Sequence, residues 1–240
     1  MLKIEDRLIV SIDVNRIDEL KKLCKKIGNR VRTLKLGLEL IYSQGLGVID
    51  MVKGFGYKVM LDAKLLDIPN TISGAAKAIG SRGVFGITIH TLGGKGMLEA
   101  AKKELEKISK QKLIDPPLLF GVTVLTSLDD SDLRAAGFRG NYLHTVLGLV
   151  KIGLKSGIDG VVCSPNEVAE IRKKFGKDFF IATPGIRLNQ DKSGDQKRFN
   201  TPGKAISDGA DFLIVGRSIT QKDNIEKAIN LFYQEIERNL

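Results

Sequence analysis

Short apolar runs alternate with longer amphipathic segments along the whole chain. Leu8-Ile9-Val10-Ser11-Ile12-Asp13 reads as a short buried strand ending in a carboxylate. Ile17, Leu20, Leu23 and Ile27 follow at helical spacing, with Asn15 as the expected cap and Gly28 as the stop. Residues 31–37 predict a second strand, with Lys35 among apolar neighbours. Residues 38–54 suit a helix weakened by Gly45 and Gly47. A third strand over 58–64 runs into a helix over 71–81, and a fourth strand over 84–90 precedes a helix over 96–109. The fifth strand, 117–125, is apolar, as a strand covered on both faces should be. Residues 127–140 predict a loop with a short helix begun by Ser131 or Asp132, then a longer helix over 142–156.

The second half repeats the alternation. A sixth strand over 160–163 leads to Ser164-Pro165-Asn166-Glu167, which has the spacing of a capping box with proline at the first helical position. A seventh strand spans 178–183. Residues 184–200 form a long polar loop, and a loop of that length in a compact domain is usually functional. Thr201-Pro202 starts a helix to Asp208, an eighth strand covers 211–215, and Gly216-Arg217-Ser218 opens a last helix ending near Leu240. Eight strands alternating with eight helices predict a parallel sheet closed as an α/β TIM (β/α)8 barrel. An open doubly wound sheet is the alternative, although the first turn, Asp13-Val14-Asn15, lacks a Gly-x-Gly-x-x-Gly dinucleotide signature. No linker is visible, so one domain over residues 1–240 is expected.

Composition narrows the function. Hydrophobic residues make up 42% and charged residues 28% of the 240 positions, which excludes a disordered chain. The net charge of +10 raises the question of a nucleic-acid surface. The lysines, however, are interleaved with glutamates in helical segments, and a chain with no Trp and 6% aromatics offers no base-stacking platform. No apolar run reaches the roughly 18 residues of a membrane span. The first residues carry no signal-peptide pattern. Cys24 and Cys163 have no metal-ligand spacing, and a reduced, cytoplasmic protein is expected.

The candidate chemistry sits at predicted strand ends, where parallel α/β proteins build their sites. In a strand Asp62 and Lys64 point to one face. With Asp13, Lys35 and the nearby Asp67 they form an Asp/Lys array at one rim. A self-neutralising buried network would also satisfy these charges. It would not explain a second cluster, Thr183-Pro184-Gly185-Ile186-Arg187 with Gln196 and Gly216-Arg217. Two arginines and backbone-exposing glycines after the last two strands suit a phosphate. His90 and His144 share no ligand spacing, and His90 is placed near the site in a packing role as readily as a chemical one. The residues thus point to a barrel enzyme acting on a phosphorylated small molecule, without naming the reaction.

The run Asp62-Ala63-Lys64-Leu65-Leu66-Asp67-Ile68-Pro69-Asn70-Thr71 resembles the core motif of the orotidine 5′-phosphate decarboxylase family. Asp-x-Lys-x-x-Asp alone is shared with related barrel enzymes. The Ile-Pro-x-Thr extension, Pro184-Gly185-Ile186-Arg187 and Gly216-Arg217 make the likeness specific, and it extends over nearly the whole chain. The resemblance implies decarboxylation of orotidine 5′-phosphate to uridine 5′-phosphate, the last step of de novo UMP synthesis, with no cofactor and no metal. It implies that Lys64 is the general acid, with Asp62, Asp67 and Lys35 completing the catalytic array. Asp13 and Lys35 would hold the ribose and Thr126 the pyrimidine edge. Pro184, Arg187, Gln196, Gly216 and Arg217 would line the phosphate site. It also implies a homodimer in which the partner subunit supplies Asp67 and Thr71, with neither nucleic acid nor membrane as a partner. A Mg²⁺-dependent sugar-phosphate decarboxylase or aldolase of the same barrel group is the alternative enzyme. A non-catalytic nucleic-acid-binding protein is the alternative outside enzymes.

Overall fold

The computed structural model describes residues 2–188 and 200–240. Eight parallel strands, β1 (Leu8–Ile12), β2 (Thr33–Leu36), β3 (Lys58–Leu65), β4 (Gly86–His90), β5 (Leu118–Val122), β6 (Gly160–Val162), β7 (Phe180–Thr183) and β8 (Phe212–Val215), pair in sequence order. β8 returns to β1, with Leu8 opposite Leu213 and Val10 opposite Val215, so the sheet closes into a barrel. The open doubly wound alternative is excluded by this closure.

The helices are α1 (Ile4–Arg7), α2 (Ile17–Ile27), α3 (Leu38–Gln44), α4 (Gly47–Gly54), α5 (Pro69–Gly80) and α6 (Gly94–Lys112). They continue as α7 (Asp130–Ala135), α8 (Tyr142–Lys155), α9 (Val168–Phe175), α10 (Pro202–Ser207), α11 (Arg217–Thr220) and α12 (Ile225–Glu237). Two segments expected as single helices are each split. Gly45 at φ +72° ends α3 before α4 begins, a backbone state that costs glycine little. The final segment divides into α11 and α12, with the Asn224 side chain accepting from the Lys227 N–H to start α12. Asn15 does not cap α2. Arg16 takes that position without a side-chain bond, and the Asn15 carbonyl accepts from Gln44 Nε2 instead. Asp129, rather than Ser131 or Asp132, caps α7, with Asp132 returning the bond to the Asp129 N–H. The box at Ser164 forms as expected, through a 3₁₀ turn leading into α9.

Alternation along the strands sorts the core into two shells. Val10, Leu34, Leu61 and Ile87 face outward into the layer under the helices. Ile9, Met60, Phe120, Ala182, Phe212 and Ile214 fill the barrel interior. Phe85, Phe120 and Phe180 pack against Phe212 with ring centroids 5.7, 6.0 and 5.4 Å away, closing the lower barrel. Phe120 leaves no room for a neighbouring side chain: a Cβ at Gly160 would sit 2.8 Å from its ring. Above this apolar floor, the next inward positions on β1, β3 and β4 are Ser11, Asp62 and Thr88. The change from apolar to polar therefore occurs within one layer.

Candidate active site

The polar layer opens into a cavity of about 740 Å³ at the carboxyl ends of the strands. Asp13, Lys35, Asp62, Lys64 and Thr126 line it. Pro184, Arg187, Gly216 and Arg217 line the same cavity. The two clusters read from the sequence thus share one space of the size that takes a small molecule. Gln196 lies outside the described residues. Where the flanking loop is described, its ends are tied together: the Asn200 N–H donates to the Gly185 carbonyl at 3.0 Å and the Arg187 N–H to the Asn200 carbonyl at 3.1 Å.

Asp62 is the hub. Its Oδ2 accepts from Lys35 Nζ at 2.8 Å and from Lys64 Nζ at 2.9 Å, and its Oδ1 accepts from Thr88 Oγ1 at 2.8 Å. Burial pushes this carboxyl up, but the Lys35 and Lys64 ammonium groups outweigh burial and hold it well below the usual carboxylate range. Asp62 therefore stays ionised, and the cluster presents two cations and one anion toward the cavity. A short step away, Ser11 Oγ donates to Asp13 Oδ1 at 3.0 Å.

Asp62 and Lys64 do meet, but not through a regular strand. The β3–β4 pairing runs Leu61 opposite Ile87 and then Leu65 opposite Ile89. Three residues, Asp62, Ala63 and Lys64, therefore lie against Thr88 alone. Lys64 takes φ +46°, and its N–H turns to Thr88 Oγ1 at 2.9 Å. A bulge of this kind re-aims a side chain at a barrel rim, and left-handed backbone at a non-glycine residue marks strain held by its surroundings.

Gly216 precedes α11, and a Cβ there would lie 3.1 Å from Asp13 Oδ2. Glycine lets the α11 backbone approach the cavity and Asp13 together.

Asp67 and Thr71 are not in this cavity. Both are exposed, and Asp67 Oδ1 accepts from the Ile68 N–H at 2.6 Å. Leu66 and Ile68 beside them are 54% and 66% exposed, an apolar flank at the barrel mouth. His90 ends β4 half-buried. Burial and the Lys64 charge lower its basicity, and its Nδ1 has no hydrogen-bond partner among the described residues. Sequence reasoning missed Thr88 and Ser11. The signal was present: each is a hydroxyl within an apolar run, two positions beyond a residue that faces the barrel interior.

Among the described residues, no group of three His, Cys, Asp or Glu side chains is placed to hold a metal ion, and no helix is long and apolar enough to cross a membrane.

Comparison with known proteins agrees with this architecture. Residues 6–232 match the profile of the orotidine 5′-phosphate decarboxylase / HUMPS family. A relative named orotidine 5′-phosphate decarboxylase, from Coxiella burnetii (strain RSA 331 / Henzerling II), is 38% identical over 236 residues, covering 98% of this chain and 99% of its own. One of the same name from Carboxydothermus hydrogenoformans is 41% identical over 232 residues, covering 97% of this chain and 96% of its own. The crystal structure of orotidine 5′-phosphate decarboxylase from Lactobacillus acidophilus superimposes with a TM-score of 0.86 at 36% identity, covering 96% of this chain and 99% of that one.

Proposed function

This chain belongs to the orotidine 5′-phosphate decarboxylase / HUMPS family, and from that premise we propose that it converts orotidine 5′-phosphate to uridine 5′-phosphate and carbon dioxide. The observation that carries the reading is the Lys64 ammonium, fixed 2.9 Å from a buried carboxylate in a cavity that Arg187 and Arg217 also line. In this reading the 5′-phosphate is held by Pro184, Arg187, Gly216 and Arg217, and Gln196 also binds it. The arginine guanidinium groups pair with its oxygens. Asp13 and Lys35 hold the ribose hydroxyls, and Thr126 meets the pyrimidine edge.

The base is then delivered with C6 against Lys64. Loss of carbon dioxide breaks the C6–carboxylate bond and leaves an electron pair on a ring carbon with no adjoining sink. A fixed ammonium beside that carbon stabilises the charge as it develops and donates the proton that replaces the carboxylate. Asp62, already ionised, repels the substrate carboxylate and disfavours the ground state. Binding at the phosphate, remote from C6, supplies the energy that holds the ring in this position. The chemistry asks for no cofactor and no metal.

The same reading makes the enzyme a homodimer acting in the cytoplasm. The exposure of Asp67 and Thr71, flanked by the apolar Leu66 and Ile68, supports a partner subunit that covers this face and receives both polar groups in its own cavity.

The test is ultraviolet absorbance of orotidine 5′-phosphate after addition of the protein, with and without a chelator. A loss of the orotate band that ignores the chelator is expected, and Lys64→Ala should abolish it while uridine 5′-phosphate still binds. Chelator-sensitive turnover, or full turnover by the Lys64→Ala variant, would overturn the assignment.

A further inference from the structure

We propose that Thr88 is the positioning residue of the Asp62–Lys64 pair, a role that rests on the decarboxylase reading above. The bulge in β3 sets three residues against Thr88 alone, and two of them are the hub carboxylate and the reacting lysine. The Thr88 hydroxyl touches both. It donates to Asp62 Oδ1 at 2.8 Å and accepts from the Lys64 N–H at 2.9 Å.

The directions of these bonds are forced. Asp62 is ionised and can only accept, and a backbone N–H can only donate, so one hydroxyl with one proton serves both without conflict. Each bond does separate work. Both ammonium groups sit on Asp62 Oδ2, which alone would leave the carboxylate free to turn about its Cβ–Cγ bond and exchange oxygens. Thr88 holds the other oxygen and fixes the plane. The Lys64 N–H takes Thr88 Oγ1 as its partner where the bulge interrupts the β3–β4 pairing, and an unpartnered buried N–H would be costly. Satisfying it keeps Lys64 at φ +46° and so keeps its ammonium aimed at the cavity. Thr88 itself is 1% exposed, rigid at χ1 as a β-branched residue, and anchored in the middle of β4. No other described residue bonds both the Asp62 carboxylate and the Lys64 backbone.

The experiment compares wild type, Thr88→Val and Thr88→Ser by steady-state decarboxylation and by uridine 5′-phosphate affinity. Valine keeps the shape and removes the hydroxyl; serine keeps the hydroxyl and removes a methyl. Positioning predicts that Thr88→Val loses at least about tenfold in kcat while nucleotide affinity stays within about threefold, and that Thr88→Ser retains kcat within about threefold. A packing role predicts the reverse order, with Val near wild type and Ser impaired, and that result overturns the proposal. Equal losses in both variants overturn it as well. Should Thr88→Val fail to fold, Thr88→Cys, which puts a weak thiol donor in place of serine's hydroxyl, takes its place against Thr88→Ser. Wild-type protein without activity on orotidine 5′-phosphate sinks the functional reading and this role with it. Active wild type with an unimpaired Thr88→Val sinks only the role.

Discussion

Replacing Asp62 by asparagine should expose how much charge balance the site depends on. Lys35 Nζ and Lys64 Nζ contact the same oxygen at 2.8 and 2.9 Å, so the two nitrogens are no more than about 5.7 Å apart. Their side chains are only 11% and 31% exposed, so solvent screens them incompletely. At an effective dielectric of about 20, two unit charges at that separation repel by about 3 kcal/mol. Asp62 offsets this repulsion, and the isosteric amide removes the offset without opening a cavity. Asp62→Asn should therefore lower the unfolding free energy by about 3 kcal/mol at pH 7, read from urea titrations.

The deficit has a pH signature. It lies at the acid end, where wild type loses a contribution that the amide variant lacks. The folded Asp62 carboxyl titrates below its unfolded value, so its contribution is complete above about pH 4 and is lost as pH falls further. A variant as stable as wild type at neutral pH, or a deficit that stays unchanged as pH falls below about 4, would refute this reasoning.

Two further outcomes follow from the site and its flank. Arg187→Ala and Arg217→Ala should each weaken uridine 5′-phosphate binding about ten- to a hundredfold while leaving uridine affinity unchanged; titration calorimetry giving equal losses for both ligands would remove the phosphate from these arginines. Ile68→Asp should weaken self-association on the order of a thousandfold, because burying one isoleucine contributes about 2 kcal/mol and a two-fold interface counts it twice. Activity should fall with the dimer fraction seen by light scattering, and a fully active monomer would refute the shared site.

Much of this protein follows from local pattern. Short apolar runs placed every strand, and period-3.6 spacing placed most of the helices between them, because both are properties of a few consecutive residues. The capping box at Ser164 and the Thr201 cap were legible for the same reason: their partners lie within three residues. Charges at strand ends marked the rim where the cavity opens. Errors fell where one local signal competed with another. Asn15 is a good cap by type, yet its carbonyl is engaged by Gln44 across the α2–α3 gap.

Tertiary structure decided what meets. Closure of β8 onto β1 joined the Asp/Lys array to the arginines in one cavity, a relation between residues from 123 positions apart along the chain (Lys64 and Arg187) to 204 (Asp13 and Arg217). The β3 bulge depends on which β4 residues β3 pairs with, so alternation put Asp62 and Lys64 on one face but could not reveal the φ reversal that aims the lysine. Thr88 reads in sequence as one hydroxyl in an apolar strand, and only its register against residues 24 and 26 positions earlier gives it two partners. Asp67 and Thr71 follow the same rule: their motif is plain in the sequence, and the fold alone shows that they leave their own cavity. Periodicity encodes which way a side chain points, because that is a property of a short segment. Strand register and barrel closure encode what it points at, because they are settled by packing over the whole chain.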